Sequence, residues 1–302
     1  MGIINTVIAN LVPFIPKSLV GHFAKKYIAG ESLQEAADAV KKLNSEGFLC
    51  TLNILGEHLT DIKDSAEFIK GYQDALSMII EKDLKSNISI KLSQVGMGID
   101  DEVCLRNIKG LLKLATEADN FVRIDMEEST YTTKTLEIHS ELLSLKQSVG
   151  TVIQAYLRRS EADVIELSKI GSNIRLCKGI YIESEKIAFK DKDMIRKNFV
   201  RLLDILLRGG SYVGIATHDE HIVYEAYRII DDLGLGREEY EFQMIYGVRE
   251  QLRKKILDDG HRVRVYVPYG EAWYAYSTRR LKENPEIAGY IIKNIFSFNS
   301  SK

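Results

Sequence analysis

The fold is decided by a strand, helix, strand pattern that is clearest between NIRLCKG (173–179) and YVGIAT (212–217). Both runs have the length of a strand and an apolar centre. The segment between them contains VRLLDILLRGG (200–210), whose leucines recur at helical spacing. Two parallel strands need a crossover connection of this kind, so the stretch predicts one βα unit.

The same alternation repeats along the chain. Segments of roughly 20 to 35 residues separate the apolar runs, which is long enough for one crossover helix each. Eight βα units favour an α/β fold in which the strands close into a TIM-like (βα)8 barrel. A doubly wound sheet is the alternative, although no G-x-G-x-x-G follows any run. The eight runs are FLCTLNIL (48–55), ISIKLS (88–93), NFVRIDME (120–127), TVIQAYL (151–157), NIRLCKG (173–179), YVGIAT (212–217), YEFQMI (240–245) and VRVYVP (263–268).

A helical segment precedes the first run. Leu33, Ala36, Ala37, Val40 and Leu43 recur at steps of three and four residues and predict a helix that ends near Gly47. We therefore expect an N-terminal helical segment at 1–46 and a barrel at 47–302.

The first twenty residues are apolar, but Asn10, Pro13 and Pro16 interrupt them and no basic region precedes them. Neither a signal peptide nor a membrane-spanning helix is favoured. A packed terminal helix or a helix lying on a membrane surface both fit this segment.

Composition narrows the class of protein. The 302 residues carry 41 Lys+Arg against 43 Asp+Glu, a formal net charge of −2. A protein that binds nucleic acid would need a basic surface, so we expect no nucleic-acid partner. Cys50, Cys104 and Cys177 form no C-x-x-C pair, which indicates neither a disulfide framework nor a zinc site and fits the cytoplasm.

Polar side chains stand where the predicted strands end. In a (βα)8 barrel the functional residues collect at the carboxyl ends of the strands. Lys91 is notable because a lysine in an apolar strand must find a partner in the barrel interior, either a ligand or a structural counter-ion. The strand-end residues are Lys91, Asp125, Gln154, Arg175, Lys178, Thr217, His218 and Gln243.

The last predicted βα unit adds a second cationic group. Tyr276, Arg279, Arg280 and Glu283 follow the helical spacing i, i+3, i+4 and i+7, which places them on one face. Two guanidinium groups beside a tyrosine suit the bidentate capture of a carboxylate or phosphate. A solvent-exposed helix face is the alternative.

The segment THDEH (217–221) permits a metal hypothesis, because His218 and His221 lie three residues apart beside two acidic residues. The simpler interpretation makes His218 a polar contact of a cofactor and places His221 on a helix surface. Cys177 is interpreted as a small buried residue and not as a nucleophile.

Taken in order, the motifs resemble those of the proline dehydrogenase family, flavoenzymes that oxidise L-proline to Δ1-pyrroline-5-carboxylate in a distorted (βα)8 barrel. Each motif is weak alone, and their common order along most of the chain carries the resemblance. They are TLNILGE (51–57), SIKLSQ (89–94), RIDMEES (123–129), YLRRS (156–160), RLCKGIY (175–181), ATHD (216–219), EFQMIYGV (241–248), YVPYG (266–270) and YSTRRLKEN (276–284).

The resemblance implies a role for each matching residue. Asp125 and Arg175 would be catalytic, and Glu283 would brace the arginines. Lys91, Arg279 and Arg280 would bind the proline carboxylate, while Tyr266 and Tyr276 would shape the pocket around the ring. The implied cofactor is FAD, with no metal, and its contacts would be Met126, Gln154, Arg175, Lys178, Gly179, Ile180, Thr217 and His218.

The resemblance also implies a reaction and its partners. Hydride would pass from C5 of proline to N5 of the flavin, and the electrons would continue to a quinone. The amphipathic N-terminus would then be a peripheral membrane contact, and a separate pyrroline-5-carboxylate dehydrogenase would complete the path to glutamate. Three departures from the usual family pattern, at Ile180, Asp219 and Ile182, all concern the flavin side.

Two other functions stay open at the level of sequence. A barrel lyase or hydrolase would use a metal at His218 and His221. A binding protein would use the arginine pair to recognise an amino acid without converting it.

Overall fold

In the computed structural model, which describes residues 17–56, 58–145 and 148–283, eight parallel strands close into a barrel. Each strand pairs with the next along the chain, and the last pairs with the first. The predicted (βα)8 fold is confirmed. The strands are β1 Leu49–Ile54, β2 Ser86–Ile90, β3 Val122–Ile124, β4 Val149–Gln154, β5 Asn173–Cys177, β6 Val213–Ala216, β7 Tyr240–Ile245 and β8 Val263–Tyr269.

Helices follow the strands and cover the outside of the barrel. From residue 17 onward two helices precede β1, and short 3-10 turns at Ile62–Asp64 and Leu92–Gln94 follow β1 and β2. No helix in the described part of the chain has the length and hydropathy needed to cross a membrane. The helices are α1 Lys17–Ala24, α2 Leu33–Ser45, α3 Ser65–Glu81, α4 Asp101–Glu117, α5 Ser129–Ser144, α6 Ser160–Lys169, α7 Lys192–Arg208, α8 Glu220–Leu233, α9 Glu250–Asp258 and α10 Trp273–Glu283.

The helix predicted before β1 is α2, and it starts with a capping box. The Ser32 hydroxyl accepts from the Glu35 backbone N–H, and the Glu35 carboxylate accepts from the Ser32 backbone N–H. Helix α1 packs against α10, with Ala24 and Ile28 in one apolar cluster with Trp273 and Tyr276. The first 16 residues lie outside the described part, and the predicted boundary between 46 and 47 stays a prediction.

Strand ends differ from the predicted runs in ways that matter for the site. Strand β2 ends at Ile90, so Lys91 lies just after it and not within a strand as predicted. Strand β3 is only three residues long, and Asp125 follows it directly.

Each strand presents alternate residues to two different environments. Outward residues such as Ile174, Leu176 and Phe242 are buried under the helices and form the main apolar core. Arg175 of β5 donates to Gln243 of β7 and to Asp125 beyond β3, although none of these strands are neighbours. These bonds must therefore cross the interior, so the barrel lumen is polar in this protein.

Charged and polar side chains also fill the amino-terminal end of the lumen. Arg264 donates from Nε to Glu241 at 2.7 Å and from Nη1 to the carbonyl of Cys50 at 2.7 Å and to Asn87 at 3.1 Å. On the other side of the lumen, Arg123 donates to the carbonyl of Asn173 at 2.7 Å. Buried charges persist most readily when they are paired and hydrogen-bonded, and the Arg264–Glu241 pair meets that condition.

A first prediction concerns Gly150, which β4 places beside Arg123 and Asn173 in the strand register. A Cβ at this position would overlap Arg123 Nη1 and the Asn173 carbonyl and approach Phe121 Cζ at 2.7 Å. Overpacking of this kind costs about 1–3 kcal/mol. We expect Gly150→Ala to lower the free energy of unfolding by about that amount, measured by urea denaturation.

Gly110 provides the matched control, because it lies exposed in α4 and an added Cβ would meet no atom within 4 Å beyond its chain neighbours and its own helix backbone. Gly110→Ala should raise the free energy of unfolding by about 0.5–1 kcal/mol through helix propensity. Equal effects of the two substitutions would contradict the packing of Arg123 against β4.

Candidate functional site

The carboxyl ends of β2 to β8 surround a cavity of about 890 Å³. Its volume lies within the range of small-molecule and cofactor sites. All the predicted site residues whose side chains the structure describes line it, namely Lys91, Asp125, Met126, Gln154, Arg175, Lys178, Gly179, Ile180, Thr217, His218, Tyr266 and Tyr276.

Asp125 accepts hydrogen bonds from several side chains at the base of the cavity. Its Oδ1 accepts from Ser89 Oγ at 2.5 Å and from Arg175 Nη1 at 2.6 Å, and its Oδ2 accepts from Tyr266 Oη at 2.9 Å. Burial, followed by the negative charge of Asp125, raises the pKa of Tyr266 well above its ordinary value, so the phenol stays protonated and donates. Both oxygens of Asp125 are thus occupied by donors.

Arg175 is fixed from several directions. Its Nη1 donates to Asp125, its Nε donates to Gln243 Oε1 at 2.5 Å, and its guanidinium lies 5.1 Å from the centre of the Tyr266 ring. The side chains of Arg175 and Asp125 are only 9% and 12% exposed. Removing either one would leave a buried charge without its partner, which is strongly destabilising.

Lys91 approaches the cavity from the turn after β2. Its Nζ donates to Asn53 Oδ1 at 3.2 Å, and Asn53 is in turn held by the carbonyl of Ser89. Tyr276 lines the cavity from α10. Arg279, Arg280 and Glu283 follow in the same helix, and their side chains lie outside the described part of the chain, so their roles stay predictions.

A second cationic group lies around Asp219, just after β6. Asp219 Oδ2 accepts from Lys178 Nζ at 2.5 Å and from Arg196 Nε at 2.7 Å. Burial alone would raise the pKa of Asp219, but the hydrogen bonds from Lys178 and Arg196 outweigh it and lower the pKa to about 2. Arg196 comes from α7, and its sequence surroundings gave no signal for a site.

His218 lines the cavity, and one of its ring nitrogens accepts a backbone hydrogen bond. Its Nε2 accepts from the backbone N–H of Ile245 at 2.9 Å, which places the ring proton on Nδ1. Among the described residues, the metal-capable side chains that converge are His58, Glu127 and Glu128, a group without His218 or His221. The geometry gives no support to the metal alternative.

At the edge of the cavity, the backbone conformation at position 179 requires a glycine. Its φ is +97°, a conformation that favours glycine, and a Cβ would overlap the Tyr156 ring, with Cγ at 2.7 Å.

Cys177, interpreted from sequence as a buried residue, is instead partly exposed and lines the cavity. Its position two residues after Arg175 on one strand places it on the same face, a signal that the sequence analysis did not use.

The donor set of the cavity fits a flavin nucleotide. Among the side chains that the structure describes, the cavity is lined by five cations, Lys91, Arg175, Lys178, Arg196 and Arg249, against three carboxylates, Asp125, Asp219 and Glu220. This excess of positive charge matches a diphosphate together with a carboxylate ligand. Apolar side chains supply a surface for a planar ring system, namely Met126, Val152, Met244 and Ile245.

Comparison with known proteins shows the family to which this chain belongs. The family model described as "Proline dehydrogenase" matches residues 36–291. The chain belongs to the proline dehydrogenase family. It is 37% identical over 279 residues to the proline dehydrogenase of Deinococcus radiodurans, covering 91% of this chain and 90% of that protein. It is 35% identical over 272 residues to proline dehydrogenase 1 of Bacillus subtilis, covering 90% of each.

A solved structure gives the same fold. Proline utilization A from Bdellovibrio bacteriovorus, inactivated by N-propargylglycine, superposes with a TM-score of 0.81 at 29% identity. The match covers 87% of this chain and 32% of that one. The family resemblance stated from the motifs is thereby confirmed, and the chain is an oxidoreductase of proline metabolism.

A second prediction tests the Asp219 group. The pKa of Asp219 is lowered from an ordinary value of 3.8 to about 2, so its charge stabilises the folded state above about pH 4. That contribution is lost as the pH falls through 2. We expect Asp219→Asn to be less stable than the parent at pH 7, with the difference shrinking below pH 4, measured as urea midpoints across pH.

Asp232→Asn is the control, because Asp232 pairs with Arg228 at 3.2 Å on an exposed helix face. Such exposed pairs contribute about 0–1 kcal/mol. A pH-independent difference for Asp219→Asn, or one as small as the control's, would contradict the assigned ion-pair group.

Proposed function

We propose that the cavity holds FAD and that the chain uses it to oxidise L-proline to Δ1-pyrroline-5-carboxylate. The residues that would hold the cofactor are Met126, Gln154, Arg175, Lys178, Gly179, Ile180, Thr217 and His218. When bound, FAD supplies the hydride acceptor, its N5 atom receiving the hydride from C5 of proline.

One observation carries this proposal. A single cavity at the carboxyl end of the barrel collects the residues that the family motifs assign to substrate and cofactor, with a buried Asp125 and Arg175 pair at its base. Membership of the family supports the substrate. The excess of cationic groups supports a ligand that carries several negative charges.

Lys91, Arg279 and Arg280 bind the proline carboxylate in this proposal. Lys91 is held by Asn53 at the cavity wall, and the two arginines follow Tyr276, which lines the same cavity, in α10. Charge-assisted hydrogen bonds from several donors hold a planar carboxylate in one orientation. Tyr266 and Tyr276 then limit the space left for the pyrrolidine ring.

Asp125 and Arg175 take complementary roles. Arg175 contributes a fixed positive charge in a buried environment, where electrostatic stabilisation of a developing negative charge is stronger than in water. Asp125 orients that guanidinium and the Tyr266 hydroxyl. It is unsuited to act as a base because both of its oxygens already accept hydrogen bonds.

The remaining steps belong to other partners. We assign the electrons to a membrane quinone, and a cytoplasmic location with a peripheral membrane contact fits that acceptor. Oxidation of pyrroline-5-carboxylate toward glutamate is assigned to a separate pyrroline-5-carboxylate dehydrogenase, because it is aldehyde chemistry and needs a different site.

The test uses the parent protein and Arg279→Met, assayed for bound flavin and for proline-dependent reduction of an artificial electron acceptor. The parent should contain FAD and be saturated by L-proline. The variant should keep its FAD and show a Michaelis constant raised about tenfold or more, about 1.4 kcal/mol or more of binding. Loss of one charge-assisted pair to the carboxylate accounts for this size.

Arg228→Met is the matched control, since Arg228 pairs with Glu225 and Asp232 on the outside of α8. It should leave the Michaelis constant unchanged. A parent protein without flavin, or one that binds proline and never reduces the acceptor, would refute the proposed reaction. An Arg279→Met variant saturated like the parent would refute the carboxylate assignment alone.

A further inference from the structure

A chain of hydrogen bonds leads from Arg175 away from the cavity into the barrel. Gln243 Oε1 accepts from Arg175 Nε at 2.5 Å, and Gln243 Nε2 donates to Glu241 Oε1 at 2.6 Å. Glu241 accepts in addition from Arg264 Nε at 2.7 Å and from Tyr212 Oη at 3.0 Å. The orientation of Arg175 is thus connected to a carboxylate that does not line the cavity.

Glu241 determines which way the Gln243 amide points. Burial would raise the pKa of Glu241, but the charge and hydrogen bond of Arg264, with further bonds from Gln243 and Tyr212, lower it to about 2. An ionised carboxylate only accepts hydrogen bonds, so the amide must turn its NH2 group toward Glu241. Its oxygen is then directed at Arg175, which only donates.

A flipped amide would be unfavourable at both ends. It would bring NH2 against the Arg175 guanidinium and the amide oxygen against the Glu241 carboxylate. Both contacts are repulsive, and both would lie in a buried environment, where charges are screened much less than in water. The Gln243 side chain is therefore held in one orientation by its two charged neighbours.

Gly214 provides the space that this arrangement needs. In the strand register Gly214 lies between Arg175 on β5 and Glu241 on β7. A Cβ at 214 would overlap Gln243 Nε2 and lie 2.8 Å from its Cδ. The amide crosses β6 only because that position has no side chain.

We propose that Gln243 and Glu241, accommodated by Gly214, are positioning residues that hold the Arg175 guanidinium in place and thereby set the reduction potential of the bound flavin. The inference rests on the proposed function, in which Arg175 is one of the residues that would hold FAD. A positive charge fixed close to the flavin stabilises its reduced, negatively charged form. A guanidinium free to turn away stabilises it less.

The test compares Gly214→Ala with Gly150→Ala in the flavin-loaded protein. Both substitutions crowd a barrel strand, but an alanine at 150 meets Arg123, Asn173 and Phe121 and does not meet Gln243. The two-electron midpoint potential is measured without oxygen and without proline, by equilibration with a reference dye. The FAD dissociation constant of each protein is measured in parallel.

Gly214→Ala should lower the equilibrium constant for flavin reduction about tenfold or more, a shift of about 30 mV or more to negative potential. Gly150→Ala should be less stable than the parent and keep the parent's potential. A purely structural role for Gly214 would move stability without moving the potential, and that result would overturn the inference.

A second variant covers the case in which Gly214→Ala does not fold. The double substitution Glu241→Gln with Arg264→Gln removes both buried charges together, so neither is left without its partner. A neutral amide at 241 accepts as well as donates and no longer fixes Gln243. The same negative shift is expected, and an unchanged potential in this variant would overturn the inference.

These outcomes are distinct from failure of the proposed function. A parent protein whose flavin has a measurable potential but is not reduced by L-proline would refute the reaction and leave the comparison of potentials intact. A parent that is reduced by L-proline, beside variants with an unchanged potential, would refute only the positioning role.

Discussion

The structure depends on how charges are accommodated inside the barrel. Arg175, Asp125, Glu241 and Arg264 lie in a lumen closed by eight strands, where an unpaired charge would cost several kcal/mol. Arg175 of β5 pairs across the interior with Asp125 beyond β3, and Arg264 of β8 pairs with Glu241 of the neighbouring strand β7. This requirement fixes the orientation of the side chains at the base of the cavity before any ligand binds.

The same requirement links the fold to the chemistry. Outward strand residues are apolar and pack under the helices, so the barrel is stabilised from outside. The inward positions are thereby released from core packing and carry polar groups that reach from the amino end to the cavity. Preorganised groups of this kind act on a reaction without having to reorganise during it.

The sequence predicts the eight strands, their closure and several of the polar side chains that line the cavity, because period, crossover length and strand-end polarity are local signals. It does not predict that Arg196 reaches Asp219 from α7, or that Gln243 joins Arg175 to Glu241. The Arg196–Asp219 contact joins a helix to a strand end, and the Arg175–Gln243 contact joins two strands that are not neighbours, so both depend on the tertiary arrangement. The sequence predicts Lys91 within a strand and Cys177 in the core, whereas Lys91 lies one residue after β2 and Cys177 lines the cavity. Both differences arise because strand ends and the inward direction of side chains are set by tertiary pairing.

The most direct test of the account is a visible absorption spectrum of the purified protein, recorded without oxygen before and after addition of L-proline. We predict an oxidised flavin band that L-proline bleaches, since one cavity would hold cofactor and substrate together. A flavin band that L-proline leaves unchanged, or a protein that binds no FAD on reconstitution, would contradict the assignment of this cavity.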